Sequence, residues 1–208
     1  MHARKLPQAA ALALLAACCV AMAGTTAGHG TVTSLRLFFV QTTTAAGKPP
    51  KSQPLTMFLK DGRMRLEQGA MALIFDGKQL LSINTASKSK VAVELPVSQM
   101  DLRGSTSPAQ TLQKMLAAGG TAKLLGTATL SGRQCDVLEL VRPDGTTAKL
   151  WIDKNSGVPA KVDAATPTAH VTTVLQAAKV NPPLRDSLFA LPQGYRVVKL
   201  GSTQPSAK

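Results

Sequence analysis

The sequence is short of most of what makes an enzyme recognisable. It has 208 residues with three histidines and three cysteines. No His-x-x-x-His, Cys-x-x-Cys, Gly-x-Ser-x-Gly or phosphate-binding loop occurs, so the common zinc, redox, acyl-transfer and nucleotide motifs are missing. Aromatic residues make up only 3%, with one Trp, one Tyr and five Phe. Bases therefore have no stacking platform, and the cations are scattered singly rather than clustered, which argues against a nucleic-acid partner. Acidic residues number 11 against 24 Lys and Arg, for a net charge of +13. Such an excess favours anionic surfaces, among them membrane headgroups and lipopolysaccharide.

The start of the chain reads as an export signal. Arg4 and Lys5 precede an apolar run over residues 9–20, and Ala21-Met22-Ala23 is a small-x-small cleavage site. Cutting before Gly24 leaves 208 − 23 = 185 residues and a charge of +11, since Arg4 and Lys5 depart. The run Leu15-Ala16-Ala17-Cys18 offers an alternative, a lipobox in which Cys18 carries the lipid anchor. With cleavage before Gly24 only Cys135 remains, which excludes an intrachain disulfide. A lone cysteine in an alternating run is a small buried apolar residue before it is a nucleophile.

Turn chemistry and period-2 alternation dominate the rest. After a small-residue arm (24–30), residues 31–44 form a long strand with Leu35, Leu37 and Phe39 on one face and Phe38 and Val40 on the other. Residues 45–54 hold Pro49, Pro50 and Pro54 and read as a loop. Runs at 55–60, 63–67, 71–75, 79–84 and 91–95 form an antiparallel meander, punctuated by Asp61-Gly62, Gln68-Gly69 and Asp76-Gly77. Ser107-Pro108 opens a short amphipathic helix with Leu112, Met115 and Leu116 on its stripe, stopped at Gly119-Gly120. Strands follow at 123–130, 134–141, 147–153, 158–162 and 168–180, the last interrupted in character at Ala177-Ala178. A helical turn near Ser187-Leu188-Phe189 and a last strand at 196–200 precede a polar tail, 201–208.

The expected fold is mainly β: one curved antiparallel sheet or incomplete barrel of ten or eleven strands, with the short helix covering its concave face, in a single domain over 31–200. Candidate inward positions are Leu35, Leu37, Phe39, Met57, Leu59, Met64, Leu66, Met71, Leu73, Phe75, Leu81, Ile83 and Trp151. They line either an apolar cavity or a packed core. Arg63, Arg65, Lys88 and Lys90 are candidate contacts for anionic headgroups. His170 reads as a surface strand residue, and turn and strand-end roles account for Asp153 and Asp163. No cofactor or metal site is expected, and the chain reads as a monomer.

Several segments together resemble a known group. They are Lys60-Asp61-Gly62-Arg63-Met64-Arg65, Phe75-Asp76-Gly77-Lys78-Gln79-Leu80-Leu81, and Trp151-Ile152-Asp153-Lys154-Asn155-Ser156-Gly157-Val158-Pro159. The ending Leu188-Phe189-Ala190-Leu191-Pro192-Gln193-Gly194-Tyr195 completes the set. Their order is similar to that of the periplasmic lipoprotein-carrier (LolA/LolB-like) superfamily, especially its small exported members. The resemblance implies an incomplete β-barrel with a helical lid, shielding the acyl chains of lipids or lipoproteins across the periplasm without catalysis.

Overall fold

A computed structural model describes residues 32–95, 121–141, 145–166 and 168–199. The signal segment, Cys18, the arm, the helix bearing Leu112, Met115 and Leu116, and the tail lie outside the described residues.

Twelve strands among the described residues form one curved, open sheet. They are β1 (Ser34–Ala45), β2 (Lys51–Lys60), β3 (Arg63–Gln68), β4 (Met71–Phe75), β5 (Leu80–Asn84), β6 (Val91–Leu95), β7 (Thr121–Leu130), β8 (Arg133–Val141), β9 (Thr147–Asp153), β10 (Pro159–Thr166), β11 (Ala169–Val180) and β12 (Arg196–Lys199). Their order in the sheet is β12-β6-β5-β4-β3-β2-β1-β11-β10-β9-β8-β7. The first strand therefore sits in the middle. Two meanders run outward from it, one through β2–β6 and the other back from β11 to β7.

Hairpin chemistry explains the meanders. Asp61 and Gly62 take φ of 49° and 72°, and Ser131 and Gly132 take 50° and 77°. Two consecutive left-handed residues match the twist of the flanking strands, so both links close in two residues. The wider β9–β10 link is organised by Asp153. Its Oδ1 accepts from the backbone N–H of Asn155 and Ser156 at 2.8 and 3.1 Å, while Arg133 holds Oδ2 at 3.2 Å.

Two expectations need correction. The proline-bearing stretch is not loop to its end: β2 begins at Lys51, and Pro54 stands opposite Val40 in the ladder. The β2–β3 pairing starts only at Thr56 and Glu67, so the segment around Pro54 has a strand neighbour on one side only. A residue without an N–H is tolerated there as on an edge. The sheet is also not wholly antiparallel, because β12 joins β6 in parallel. Near Ala177 the β1–β11 ladder slips by one residue, with Phe38 facing Ala177 and Phe39 facing Leu175. This bulge is the physical form of the interruption seen at Ala177-Ala178.

Candidate functional site: the two faces of the sheet

Each face of the sheet carries its own apolar cluster. The larger, called inner here, joins Leu35, Leu37, Phe39, Leu55, Met57, Leu59, Met64, Leu66, Phe75 and Leu80 to Leu140, Ala148, Leu150, Val162, Ala164, Val171 and Leu175. The register makes this continuous. Leu37 stands opposite Met57, Met57 opposite Leu66, and Leu66 opposite Leu73. Leu37, Met57 and Met64 are 0% exposed. Nine of the predicted inward residues thus meet on one face: Leu35, Leu37, Phe39, Met57, Leu59, Met64, Leu66, Phe75 and, partly buried, Leu73.

The others are placed differently. Met71 is on the inner face by register, opposite Gln68, but lies at the strand's end and is 47% exposed. Leu81 and Ile83 belong to the outer face, in the smaller cluster with Ala72, Ile74 and Ala92. Leu80 is the inner residue of β5, and adjacent residues of a strand face opposite sides. Trp151 is also outward. Its strand neighbour Leu150 is in the inner cluster, and the Lys161 ammonium lies 4.6 Å from the Trp151 ring centroid.

The proposed headgroup arginines have another occupation. After β11 the chain turns at Asn181 (φ 52°) and crosses the outer face as a strap. The Asn181 side-chain oxygen accepts from the Thr33 backbone N–H at 2.8 Å, and the Ser34 hydroxyl donates to the Pro182 carbonyl at 2.7 Å. Lys60 donates to the Leu184 carbonyl and to Asp186, and Arg63 donates to the same Asp186 oxygen at 2.9 Å. Arg65 donates to the Leu188 carbonyl at 3.2 Å and to Glu67 at 2.6 Å. Hydrogen bonds from Lys60 and then Arg63 hold the Asp186 carboxyl below its ordinary value. A 3₁₀ turn, Asp186–Phe189, then buries Phe189 at 1% exposure, with the Arg63 guanidinium 5.2 Å from its ring centroid. Leu191 and Tyr195 finish the cover over the Ile74–Leu81–Ile83 cluster. The Tyr195 hydroxyl donates to the Asn84 carbonyl at 3.3 Å, and Lys90 lies over the Tyr195 ring. Arg63, Arg65 and Lys90 therefore clamp the strap, while Lys88 is exposed in the β5–β6 turn.

Sequence reasoning missed a polar row on the inner face. Gln68 donates to the Gln41 side-chain oxygen at 2.6 Å, and Gln41 donates to the Thr173 hydroxyl at 3.4 Å. Gln41 and Thr173 are 2% and 3% exposed. The usable signal was alternation: Gln41 continues the Leu35-Leu37-Phe39 series.

The acid and thiol groups have structural surroundings. Asp163 accepts from Lys161 at 2.7 Å and from the Thr172 hydroxyl at 2.7 Å. Cys135 is buried, and burial, followed by the charges of Asp153 and Asp136, pushes its thiol up, away from the reactive thiolate. Among the described residues no group of three His, Cys, Asp or Glu is placed to hold a metal ion.

No protein-family model and no curated protein matches the chain. Solved structures do. An uncharacterized conserved protein from Thermus thermophilus aligns over 92% of this chain and 99% of its own, at 11% identity and a TM-score of 0.57. A LolA superfamily protein from Nitrosomonas europaea aligns over 86% of this chain and 97% of its own, at 12% identity and 0.41. The structure of a MucA/MucB complex from Pseudomonas aeruginosa matches over 88% of this chain and 61% of the matched chain, at 17% identity and 0.45. The Thermus likeness, near-complete on both chains, shows a shared fold.

Proposed function

We propose that this chain is a non-enzymatic protein of the bacterial periplasm that shelters acyl chains of lipids or lipoproteins against its inner face, as a carrier or sensor. The observation that carries this reading is the inner apolar surface itself. It runs without interruption through nine of the twelve strands, β1–β5 and β8–β11, of a sheet whose terminal strands β12 and β7 do not pair with each other. Each methylene buried there contributes about 0.8 kcal/mol, so an acyl chain gains binding energy without any directional contact. Met57 and Met64 suit varied chains because thioethers adapt their shape. Export through residues 1–23 delivers the protein to that compartment, and lipidation at Cys18 is the tethered alternative. Exposed cations such as Lys88 suit anionic membrane surfaces or lipopolysaccharide.

A second reading rests on depth of burial. Leu37, Met57 and Met64 are wholly covered, as in a closed core, and such a core suits an envelope interaction module that meets its partner through basic surface residues. Native mass spectrometry of protein purified from periplasm without detergent separates the two. Phospholipid or acylated peptide released on denaturation is the expected result. Protein that arrives empty and takes nothing from added lipid vesicles would overturn the acyl-binding reading in favour of the module.

A further inference from the structure

The inner face changes character at one end. Along β1 the apolar series Leu35, Leu37, Phe39 gives way to Gln41, and along β2 the series Leu59, Met57, Leu55 gives way to Gln53, directly opposite Gln41. Gln68, the last residue of β3, and Thr173 on β11 complete a row of four uncharged polar side chains across four adjacent strands. On β1 and β2 the row separates buried Phe39 and Leu55 from the exposed end of the hairpin, whereas on β11 the buried Val171 continues the apolar face beyond Thr173. Its hydrogen bonding is unfinished. Gln41 and Gln68 each spend one amide hydrogen on the row, and the Gln53 amide has no hydrogen-bond partner among the described residues. Gln41, Gln53, Gln68 and Thr173 each keep at least one donor hydrogen. A cluster with spare donors and no charge, set at the edge of an apolar floor, recognises an acceptor rather than an ion, because a carboxylate brought there loses hydration that no cation in the row replaces. The nearest cation in register is Lys51, two residues further out and exposed.

We propose that this amide row is the headgroup subsite of the inner face and takes the carbonyl of an acyl ester or acyl amide. The inference rests on the acyl-binding reading. Its dimensions agree: Leu35 to Gln41 spans about 20 Å of strand, compared with the roughly 15 Å of one membrane leaflet's hydrocarbon.

The test uses the mature protein and three ligands with one acyl chain in common, monolauroylglycerol, lauramide and laurate, each displacing a bound anilinonaphthalene dye. The ester and the amide are expected to bind on the order of tenfold more tightly than the carboxylate. Gln53→Leu, which breaks no hydrogen bond among the described residues, should cut that preference severalfold. Gln68→Leu should do the same, with circular dichroism and the urea midpoint reporting whether the variant folds. Equal affinity for all three ligands, or a preference for laurate, overturns the subsite and leaves acyl binding standing. No displacement by any of them overturns acyl binding itself.

Discussion

The two faces of one sheet solve the same problem differently. The outer cluster is small, and its cover is identified: the strap brings Leu191 and Tyr195 over Ile74, Leu81 and Ile83, and buries Phe189 beside Arg63 of β3. Asp186 and the strap carbonyls are gripped by Lys60, Arg63 and Arg65. The inner cluster is larger, and it carries a neutral amide row instead of an ionic clamp. A surface bound permanently by its own chain can use charge pairs, because their geometry never changes. A surface meant for exchangeable apolar cargo is better served by dispersion and neutral donors, which carry no desolvated ion into the unliganded state.

The contrast can be broken most forcefully at Phe189. Phe189→Ala should cost about 3–5 kcal/mol in urea unfolding, the range for an emptied aromatic site. Native-state hydrogen exchange should then show β5, β6 and β12 losing protection while β1, β2 and β11 keep theirs. Equal loss on both faces would mean that the two clusters form one cooperative unit. A smaller effect is expected at Asp186. Its carboxyl lies below the ordinary value of about 3.8 when folded, so its stabilising contribution is present above that value and lost as pH falls through the folded one. The urea midpoint of the native protein should drop below about pH 4 more steeply than that of Asp186→Asn. Parallel profiles would show that the clamp is screened by solvent. The smallest effect belongs to Met71, exposed at the inner margin. Met71→Ala should change stability by less than about 0.5 kcal/mol. A larger loss in the same urea titration would extend the inner core to the end of β4.

The meander was legible because its signals are local. Asp61-Gly62 demands two left-handed residues, and Arg63-Met64-Arg65-Leu66 alternates without ambiguity, so Met64 and Leu66 share one face. Adjacent Leu80 and Leu81 carry no such information. Either can be the inner residue, and the choice is made by Phe75 and Leu95 standing opposite Leu80. The strap was hidden for a related reason. Its short helical turn was visible, but its docking onto β3 joins residues more than a hundred positions apart, and Arg63 and Arg65 look like solvent-facing cations until Asp186 and the Leu188 carbonyl arrive. Pro54 misled because the rule against proline in a ladder concerns strands flanked on both sides, and β3 does not reach that far. Trp151, read as inward, has the opposite strand parity to the inner residue Leu150 and lies beside the Lys161 ammonium, which puts it outside.

The parallel pairing of β12 with β6 sets an order of events during synthesis. Val91 emerges from the ribosome long before Arg196, its partner in the ladder. Until Leu191, Tyr195 and β12 are made, Ile74, Leu81 and Ile83 lack this cover and β6 lacks its parallel neighbour. Both are invitations to aggregation in a nascent chain. A protein built this way can complete its outer face only after β12 has been made, more than a hundred residues after β6.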